Sequence, residues 1–169
     1  MNIILCGMMG AGKTSVGKAA SKFFNLRWVD TDELIENEHG KISEIFAQFG
    51  EAHFRELEGE IAARLSEEDG LVISTGGGFI LREENILKLK PNGRFIYLRA
   101  RVETLYRRVE FDDTRPLLRS KEGAYAQLNK RLKARASIYE RVADDIIDTD
   151  DLTLDETVQK VVEIVKGVI

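Results

Sequence analysis

The chain has 169 residues, enough for one domain with a hydrophobic core but short for two, and its composition is that of an ordinary globular protein. No apolar run is long enough to span a bilayer, and Met1 leads directly into an apolar strand without a basic leader. The net charge of −4 argues against general nucleic-acid binding, and the single cysteine excludes an internal disulfide framework. We therefore expect a cytoplasmic monomer with no membrane or nucleic-acid partner.

The first predicted elements are a buried strand over residues 3–6, a glycine-rich loop over residues 7–14 and a helix over residues 15–24. The loop reads GMMGAGKT and matches G-x-x-x-x-G-K-[ST], whose backbone N–H groups cradle phosphates at a helix N-terminus. In this pattern Lys13 reaches the β- and γ-phosphates, and the Thr14 hydroxyl ligates Mg²⁺. A plain strand-to-helix turn is the alternative, but both flanks favour a nucleotide site. The candidate nucleotide contacts are Gly10, Ala11, Gly12, Lys13, Thr14 and Ser15.

The rest of the chain alternates between strands and helices without an internal repeat. Further strands are predicted over residues 26–30, 71–75, 94–98 and 145–148. Further helices are predicted to begin at residue 31 and end before Gly40, and then over residues 42–49, 51–65, 82–89, 102–109, 124–142 and 153–168. Residues 110–123 are polar and show no regular pattern, and a loop of this length in a compact domain is usually functional or disordered.

Strands that alternate with helices predict a parallel sheet covered by helices on both faces, and five strands predict a three-layer α/β/α domain. Ligands of such sheets bind beyond the carboxyl ends of the strands. Three chemically distinctive stretches follow strands at that edge, namely residues 7–14, 30–32 and 76–78. We therefore expect these stretches to converge on one cleft.

Two carboxylates, Asp30 and Asp32, lie at the end of the second predicted strand. Alternation along an extended segment places both on the same side. One of them could then serve Mg²⁺ while the other accepts a proton from a substrate hydroxyl. The alternative is a helix cap followed by an acid that the helix dipole favours.

An arginine and a glutamate, Arg55 and Glu58, are three residues apart on one predicted helix and can pair. Taken alone, this pair is best interpreted as a surface ion pair of little energetic value. The run Gly76, Gly77 and Gly78 is more specific, because three residues without side chains at a strand end let a ligand touch backbone N–H groups.

Basic residues are concentrated in one part of the chain, since residues 101–141 contain eleven Lys and Arg against six Asp and Glu. This balance suits small anions held in a cleft, although solvated basic helices would explain it equally well. Arg115 lies in the unpatterned stretch, which could act as a lid that brings this arginine onto a transferred phosphoryl group. Arg135, with Tyr139 four residues later, could be a second anion anchor.

Taken together, these motifs resemble the shikimate kinase family over essentially the whole chain. The matching elements are the loop GMMGAGKT, the pair Asp30 and Asp32 around Thr31, residues 54–58, the three glycines, residues 115–118, and Arg135 followed by Tyr139. Their order along the chain also matches the family. The resemblance implies a nucleoside-monophosphate-kinase-like fold, with a substrate-binding subdomain at about residues 31–60 and a lid at about residues 110–123.

The resemblance also implies the reaction, which is ATP-dependent phosphorylation of the 3-hydroxyl of shikimate to give shikimate 3-phosphate. It implies that Asp32 holds shikimate hydroxyls and acts as the base, and that Asp30 lies near Mg²⁺. The remaining implied contacts follow the family's motif positions. Arg55 and Arg135 would grip the shikimate carboxylate, Glu58 would orient Arg55, Gly76, Gly77 and Gly78 would offer backbone contacts, Phe54 would line the pocket, Arg115 would reach the phosphates, and Arg108 would lie near adenine.

Two departures and three rival functions accompany this interpretation. The third strand ends in Ser74 and Thr75 without the aspartate common at this position of P-loop proteins, and the stretch before Arg115 is unusually acidic.

Another small-metabolite P-loop kinase, such as a gluconate or nucleotide kinase, would share the loop without needing Asp32, Arg55 and Arg135. A GTPase-like switch would need an Asn-Lys-x-Asp stretch, which the sequence lacks. A nucleotide-binding module without turnover would not need every catalytic position filled.

Overall fold

A computed structural model describes residues 1–109 and 123–168 of the chain. Its five strands form one parallel sheet: β1 (Asn2–Cys6), β2 (Arg27–Asp30), β3 (Leu71–Ser74), β4 (Gly93–Arg99) and β5 (Asp145–Asp148). The strands are arranged in the order β2-β3-β1-β4-β5. All five residues of β1, the central strand, are buried, so both faces of the sheet are covered at its centre.

Seven α-helices connect these strands within the described residues. They are α1 (Lys13–Phe24), α2 (Thr31–His39), α3 (Ile42–Ser66), α4 (Glu83–Leu89), α5 (Val102–Val109), α6 (Ala124–Val142) and α7 (Leu154–Lys166). Helix α7 buries Val158, Val161, Val162 and Val165 at helical spacing and begins after a capping box formed by Thr153 and Glu156. The predicted α/β fold with its five parallel strands is confirmed.

The sheet register places three strand ends side by side at the carboxyl edge. Ser74 of β3 lies opposite Leu5 of β1 on one side and opposite Asp30 of β2 on the other. The segments that follow these three strands are therefore neighbours. The predicted convergence of residues 7–14, 30–32 and 76–78 follows from this register.

Two details of the chain path differ from the sequence-based expectation. Helix α3 runs through the two segments that were expected as separate helices, with Gly50 as a non-helical kink at φ 82° and ψ 174°. A short 3₁₀ helix, Phe79–Leu81, follows the glycine run, and Phe79 and Ile80 are buried. A three-residue turn lacks the periodicity that would have revealed it.

No helix among the described residues is long and apolar enough to cross a membrane. The unpatterned stretch, and with it most of the expected lid and Arg115, lies outside the described residues.

Candidate functional site

The loop between β1 and α1 presents backbone N–H groups at the start of a helix. Helix α1 begins at Lys13, and its N-cap, Gly12, has φ 93° and no side-chain cap. The first N–H groups of α1 point out of the helix start at the loop, and the helix dipole favours an anion there. Gly10 also has a left-handed backbone conformation, with φ 79°. A Cβ added at Gly10 would lie 2.8 Å from the carbonyl oxygen of Leu105 in α5. The glycines thus allow both the bend of the loop and its close contact with α5.

Lys13 lies across this loop, and its ammonium group donates to the carbonyl oxygens of Gly7 at 2.8 Å and Met8 at 2.9 Å. These bonds hold the Lys13 Nζ inside the curve of the loop. A positive charge is therefore fixed at the place where the pattern requires one for phosphates.

A cavity of about 480 Å³ extends from the loop along α1 and α5. Its lining comprises Met9, Gly10, Ala11, Gly12, Lys13, Thr14, Ser15, Val16, Arg108, Val109, Thr149, Leu152, Thr153, Leu154 and Thr157. Arg108 connects two sides of the cavity, because its guanidinium donates to the Gly10 carbonyl at 3.3 Å and the Thr149 carbonyl at 2.9 Å. All six predicted nucleotide contacts of the loop and Arg108 therefore border one cavity.

Asp30 is the N-cap of α2, one of the alternatives that the sequence left open, and its second carboxylate oxygen contacts the phosphate loop. Its Oδ1 caps α2 by accepting from the N–H groups of Asp32 at 3.0 Å and Glu33 at 3.4 Å. Its Oδ2 accepts from the Thr14 hydroxyl at 3.1 Å. The cap thus leaves one carboxylate oxygen next to the loop. No group of three or more His, Cys, Asp or Glu side chains that could hold a metal occurs among the described residues.

The prediction that Asp30 and Asp32 lie on the same side of one extended strand is wrong. β2 ends at Asp30, and Asp32 lies in the first turn of α2. The two residues are neighbours because Asp30 is the N-cap and Asp32 is the second residue of the helix, so strand alternation does not apply.

Asp32 has an unsatisfied acceptor in a partly buried position. Its Oδ1 is buried and has no hydrogen-bond partner among the described residues. Burial, with a smaller contribution from the nearby Asp30 charge, raises the pKa of Asp32 to about 6, while Lys13 and Arg55 act in the opposite direction. The carboxyl of Asp32 is therefore a weak acid that titrates close to neutral pH.

Arg55 and Glu58 form a buried pair, which is not the surface ion pair that spacing alone favoured. The Arg55 Nη1 donates to Glu58 Oε2 at 2.7 Å, and the side chain of Glu58 is fully buried. The Glu58 Oε1 has no partner among the described residues. Burial raises the pKa of Glu58 to about 7, and Asp32 adds to the rise while Arg55 opposes it. The opposite side of the guanidinium donates to Glu51 at 2.9 Å.

The three glycines after β3 lie against three charged side chains. An added Cβ on Gly76 would overlap Asp32 Oδ1, and one on Gly78 would overlap both terminal nitrogens of Arg55. The corresponding position on Gly77 lies 3.7 Å from Arg135 Nη1. The run therefore brings Asp32, Arg55 and Arg135 to one short stretch of backbone, and side chains there would displace two of them.

Phe54 lies under this cluster and not on an open pocket wall. It is 4% exposed, contacts the ring of Phe46 at 4.9 Å, and has the guanidinium of Arg55 5.4 Å from its ring centroid. An aromatic surface beneath a guanidinium favours the cation and limits its rotamers. The role of Phe54 in lining the substrate pocket stays a prediction, and in the structure Phe54 reaches the cluster through Arg55.

Comparisons with known proteins agree on one family. A family model described as shikimate kinase matches residues 9–166. A shikimate kinase of Thermodesulfovibrio yellowstonii is 42% identical over 163 residues, which cover 96% of this chain and 93% of that protein. The structure of shikimate kinase from Acinetobacter baumannii in complex with shikimate has a TM-score of 0.92 at 35% identity, covering 98% of this chain and 93% of that chain. The shikimate kinase of Aquifex aeolicus has a TM-score of 0.80 at 31% identity, covering 99% and 97%.

This chain belongs to the shikimate kinase family. The predicted resemblance, the P-loop kinase fold and the enzyme class of an ATP-dependent kinase are confirmed. The chain spans nearly the full length of the relatives named here, so the comparison covers the candidate site as well as the fold.

Sequence reasoning missed three polar residues at the candidate site of this shikimate kinase. Glu51 pairs with Arg55 from four residues earlier, a spacing that could have been recognised. Arg131 is one helical turn before Arg135 and close enough to Arg135 and Arg55 that their charges lower its pKa, although burial is the larger cause. Thr31, which is fully buried, accepts from the Gly76 N–H at 2.8 Å, and no sequence pattern signals this contact.

Proposed function

We propose that this kinase binds ATP in the cavity along the loop and transfers the γ-phosphoryl group to the 3-hydroxyl of shikimate, giving shikimate 3-phosphate and ADP. One observation carries the choice of acceptor. A carboxylate with an unsatisfied oxygen and two guanidiniums, from Asp32, Arg55 and Arg135, meet at the glycine run beside the phosphate loop. That set matches a small molecule with a carboxylate and several hydroxyls.

On the nucleotide side, the N–H groups at the start of α1 and the ammonium group of Lys13 would hold the β- and γ-phosphates. Leu152 and Leu154 line the cavity beyond Arg108 and offer apolar surface to the adenine base. The loop side of the cavity is therefore polar and the far side partly apolar, as a nucleotide requires.

The donor set between Thr14 and Asp30 fits Mg²⁺. A hydroxyl and a carboxylate oxygen lie 3.1 Å apart next to the phosphate loop, and both are hard oxygen ligands of the kind that Mg²⁺ prefers. Mg²⁺ bound there with the phosphates would neutralise charge that develops on the transferred group. The rest of the coordination would come from phosphate oxygens and water.

On the acceptor side, we propose that Arg55 and Arg135 bind the carboxylate of shikimate. Glu58 fixes the orientation of Arg55 through its 2.7 Å bond, and Phe54 supports the same guanidinium from below. The glycine run lies against the two guanidiniums. Its Gly76 N–H and its three carbonyl oxygens are bonded within the protein, so the backbone contacts proposed for shikimate come from the N–H groups of Gly77 and Gly78.

Asp32 is proposed as the group that accepts the proton of the attacking hydroxyl. Its buried Oδ1 can accept a hydrogen bond from the substrate, and a pKa of about 6 lets it act as a base near neutral pH. Positioning and neutralisation of charge by Lys13 and by Arg115 from the lid would supply the rest of the rate enhancement.

We further propose a subdomain division in which residues 31–60 bind shikimate and residues 110–123 form the lid. The first part gains support from the placement of Asp32, Arg55 and Glu58 on α2 and α3. The buried position of the one cysteine and the acidic net charge are compatible with a cytoplasmic monomer that has no nucleic-acid partner.

The test is ADP release measured with a panel of acceptors. Shikimate should support turnover, whereas nucleoside monophosphates should not, because they carry no carboxylate for the two arginines. Gluconate should not either, because its carboxylate and hydroxyls lie on a flexible open chain and not on a rigid ring that fixes their spacing. Calorimetric titration of shikimate with and without nucleotide checks binding separately from turnover. Faster turnover with gluconate than with shikimate would favour the alternative of a gluconate-type kinase.

A further inference from the structure

The hydroxyl group of Tyr139 contacts the glycine run and is also hydrogen-bonded to Arg135, one of the candidate substrate groups. Tyr139 is fully buried on α6, and its hydroxyl donates to the Gly77 carbonyl oxygen at 2.5 Å. The same hydroxyl lies 3.7 Å from the sulfur of Met8 in the phosphate loop. The phenol therefore touches both the glycine run and the loop that holds the nucleotide.

The ring of Tyr139 is held in place independently of its hydroxyl. It stacks on the ring of Tyr97 of β4 with centroids 4.9 Å apart and planes 18° apart. Burial raises the pKa of the Tyr139 hydroxyl, and the nearby Arg135 charge only partly opposes this rise. The hydroxyl is therefore protonated at any working pH and remains a hydrogen-bond donor.

Gly77 is the middle of a run in which each residue faces a different functional group. Gly76 lies against Asp32 and Gly78 against Arg55, so rotation of the peptide planes at Gly77 would move both neighbours relative to each other. Three consecutive glycines have more backbone freedom than any other tripeptide. Thr31 holds the Gly76 N–H at 2.8 Å, and the Leu81 N–H donates to the Gly78 carbonyl at 3.0 Å. The bond from Tyr139 holds the middle of the run.

We propose that Tyr139 is a positioning residue that fixes the Gly77 carbonyl and thereby the spacing between the acceptor-binding groups and the phosphate loop. It acts through Gly77 and through Arg135, to which its hydroxyl is also hydrogen-bonded, and not by direct contact with the substrate. This inference rests on the proposed acceptor site, because the spacing matters only if the acceptor binds along the glycine run.

The decisive variant is Tyr139→Phe, which retains the ring and its stacking on Tyr97 and removes the donor. We expect kcat/KM for shikimate to fall about tenfold, as for loss of one buried hydrogen bond. The KM for ATP and the slow hydrolysis of ATP without shikimate should change less than about twofold. A purely structural role would instead lower the apparent kcat by reducing the folded fraction while leaving the KM for shikimate and the KM for ATP unchanged, and it would lower ATP hydrolysis without shikimate by the same factor; thermal unfolding measures the folded fraction.

Tyr97→Phe is the matched control, because it removes a phenol hydroxyl from the same stack without touching Gly77. It should leave the kinetics for both substrates within about twofold of the parent. If Tyr139→Phe has parental kinetics while the parent phosphorylates shikimate, the positioning role is overturned and the proposed function stands. If the parent itself does not phosphorylate shikimate, the proposed function is wrong, and the inference about Tyr139 that rests on it is wrong as well.

Discussion

The two halves of the candidate site are built in different ways. On the nucleotide side, one contiguous loop supplies backbone N–H groups, and two charged side chains, Lys13 at its end and Arg108 from α5, are already bonded to loop carbonyls. On the acceptor side, the groups come from α2, α3, the glycine run and α6. There, Asp32 Oδ1 and Glu58 Oε1 are buried acceptors without partners in the described part of the chain.

This difference indicates that the acceptor half depends more on its bound ligand than the nucleotide half does. Buried acceptors without donors are costly, and a ligand that brings hydroxyl groups would satisfy them. The nucleotide side relies on backbone geometry, which single side-chain substitutions change little. Substitutions on the acceptor side should therefore affect shikimate selectively, and each prediction below tests that selectivity.

The largest effect is expected for Asp32→Asn, which keeps the shape of the side chain but removes its ability to accept a proton. Turnover should fall about 10³-fold, because general base catalysis contributes at this scale. ATP affinity by calorimetry should remain close to that of the parent, since Asp32 is not part of the loop cavity. Turnover within about threefold of the parent would remove Asp32 from the mechanism.

Arg55→Ala and Arg135→Ala should each weaken shikimate binding about 100-fold, because truncating one member of a buried charged contact leaves its partner uncompensated. ATP affinity should change by less than about threefold. Arg94→Ala is the matched control, since Arg94 is paired with Asp145 at the opposite end of the sheet. Equal losses for shikimate and ATP in the Arg55 or Arg135 variant would indicate a folding defect instead of a binding role.

The nucleotide half could be predicted from sequence almost completely, and the acceptor half only in part. The loop from Gly7 to Thr14 is contiguous, so a pattern records its geometry directly. The resemblance supplied Arg55, Arg135 and Asp32, but composition and spacing alone favoured a surface pair for Arg55 and Glu58. Burial of that pair depends on how α3 packs, which no local pattern encodes.

Other features of the acceptor half could not be predicted either, because they depend on contacts between residues that are far apart in the sequence. The contact between Tyr139 and Gly77 joins residues 62 positions apart, and the reason for each glycine lies in a side chain from another element. The capping role of Asp30 could be anticipated as an alternative, because caps are local. That one carboxylate both caps α2 and reaches Thr14 follows only from the register of β2 beside β3.

A smaller and graded effect is expected from pH. A base must be deprotonated, and Asp32 has its pKa raised to about 6, so kcat/KM for shikimate should fall about tenfold per unit as the pH drops below about 6. Glu58, with a pKa of about 7, gains its proton at a higher pH, so the decline should begin near pH 7 and become steeper once Asp32 is also protonated below about 6. ATP affinity, measured by calorimetry at the same pH values, should change less. A profile for shikimate that stays flat down to about pH 5 would contradict this role for Asp32.

The smallest effect is expected for Arg131→Gln. Arg131 lies one turn from Arg135 on α6 and its charge acts on the two proposed carboxylate ligands without a direct bond to either among the described residues. Removing the charge should raise the KM for shikimate about threefold, and the difference should shrink as added salt screens it. Lys133→Gln, which removes an exposed charge from the same helix, is the matched control and should have no effect. An increase in KM that does not depend on salt would instead indicate that Arg131 acts by packing. Arg55 and Arg135 alone would then supply the positive charge that attracts anions to the acceptor half.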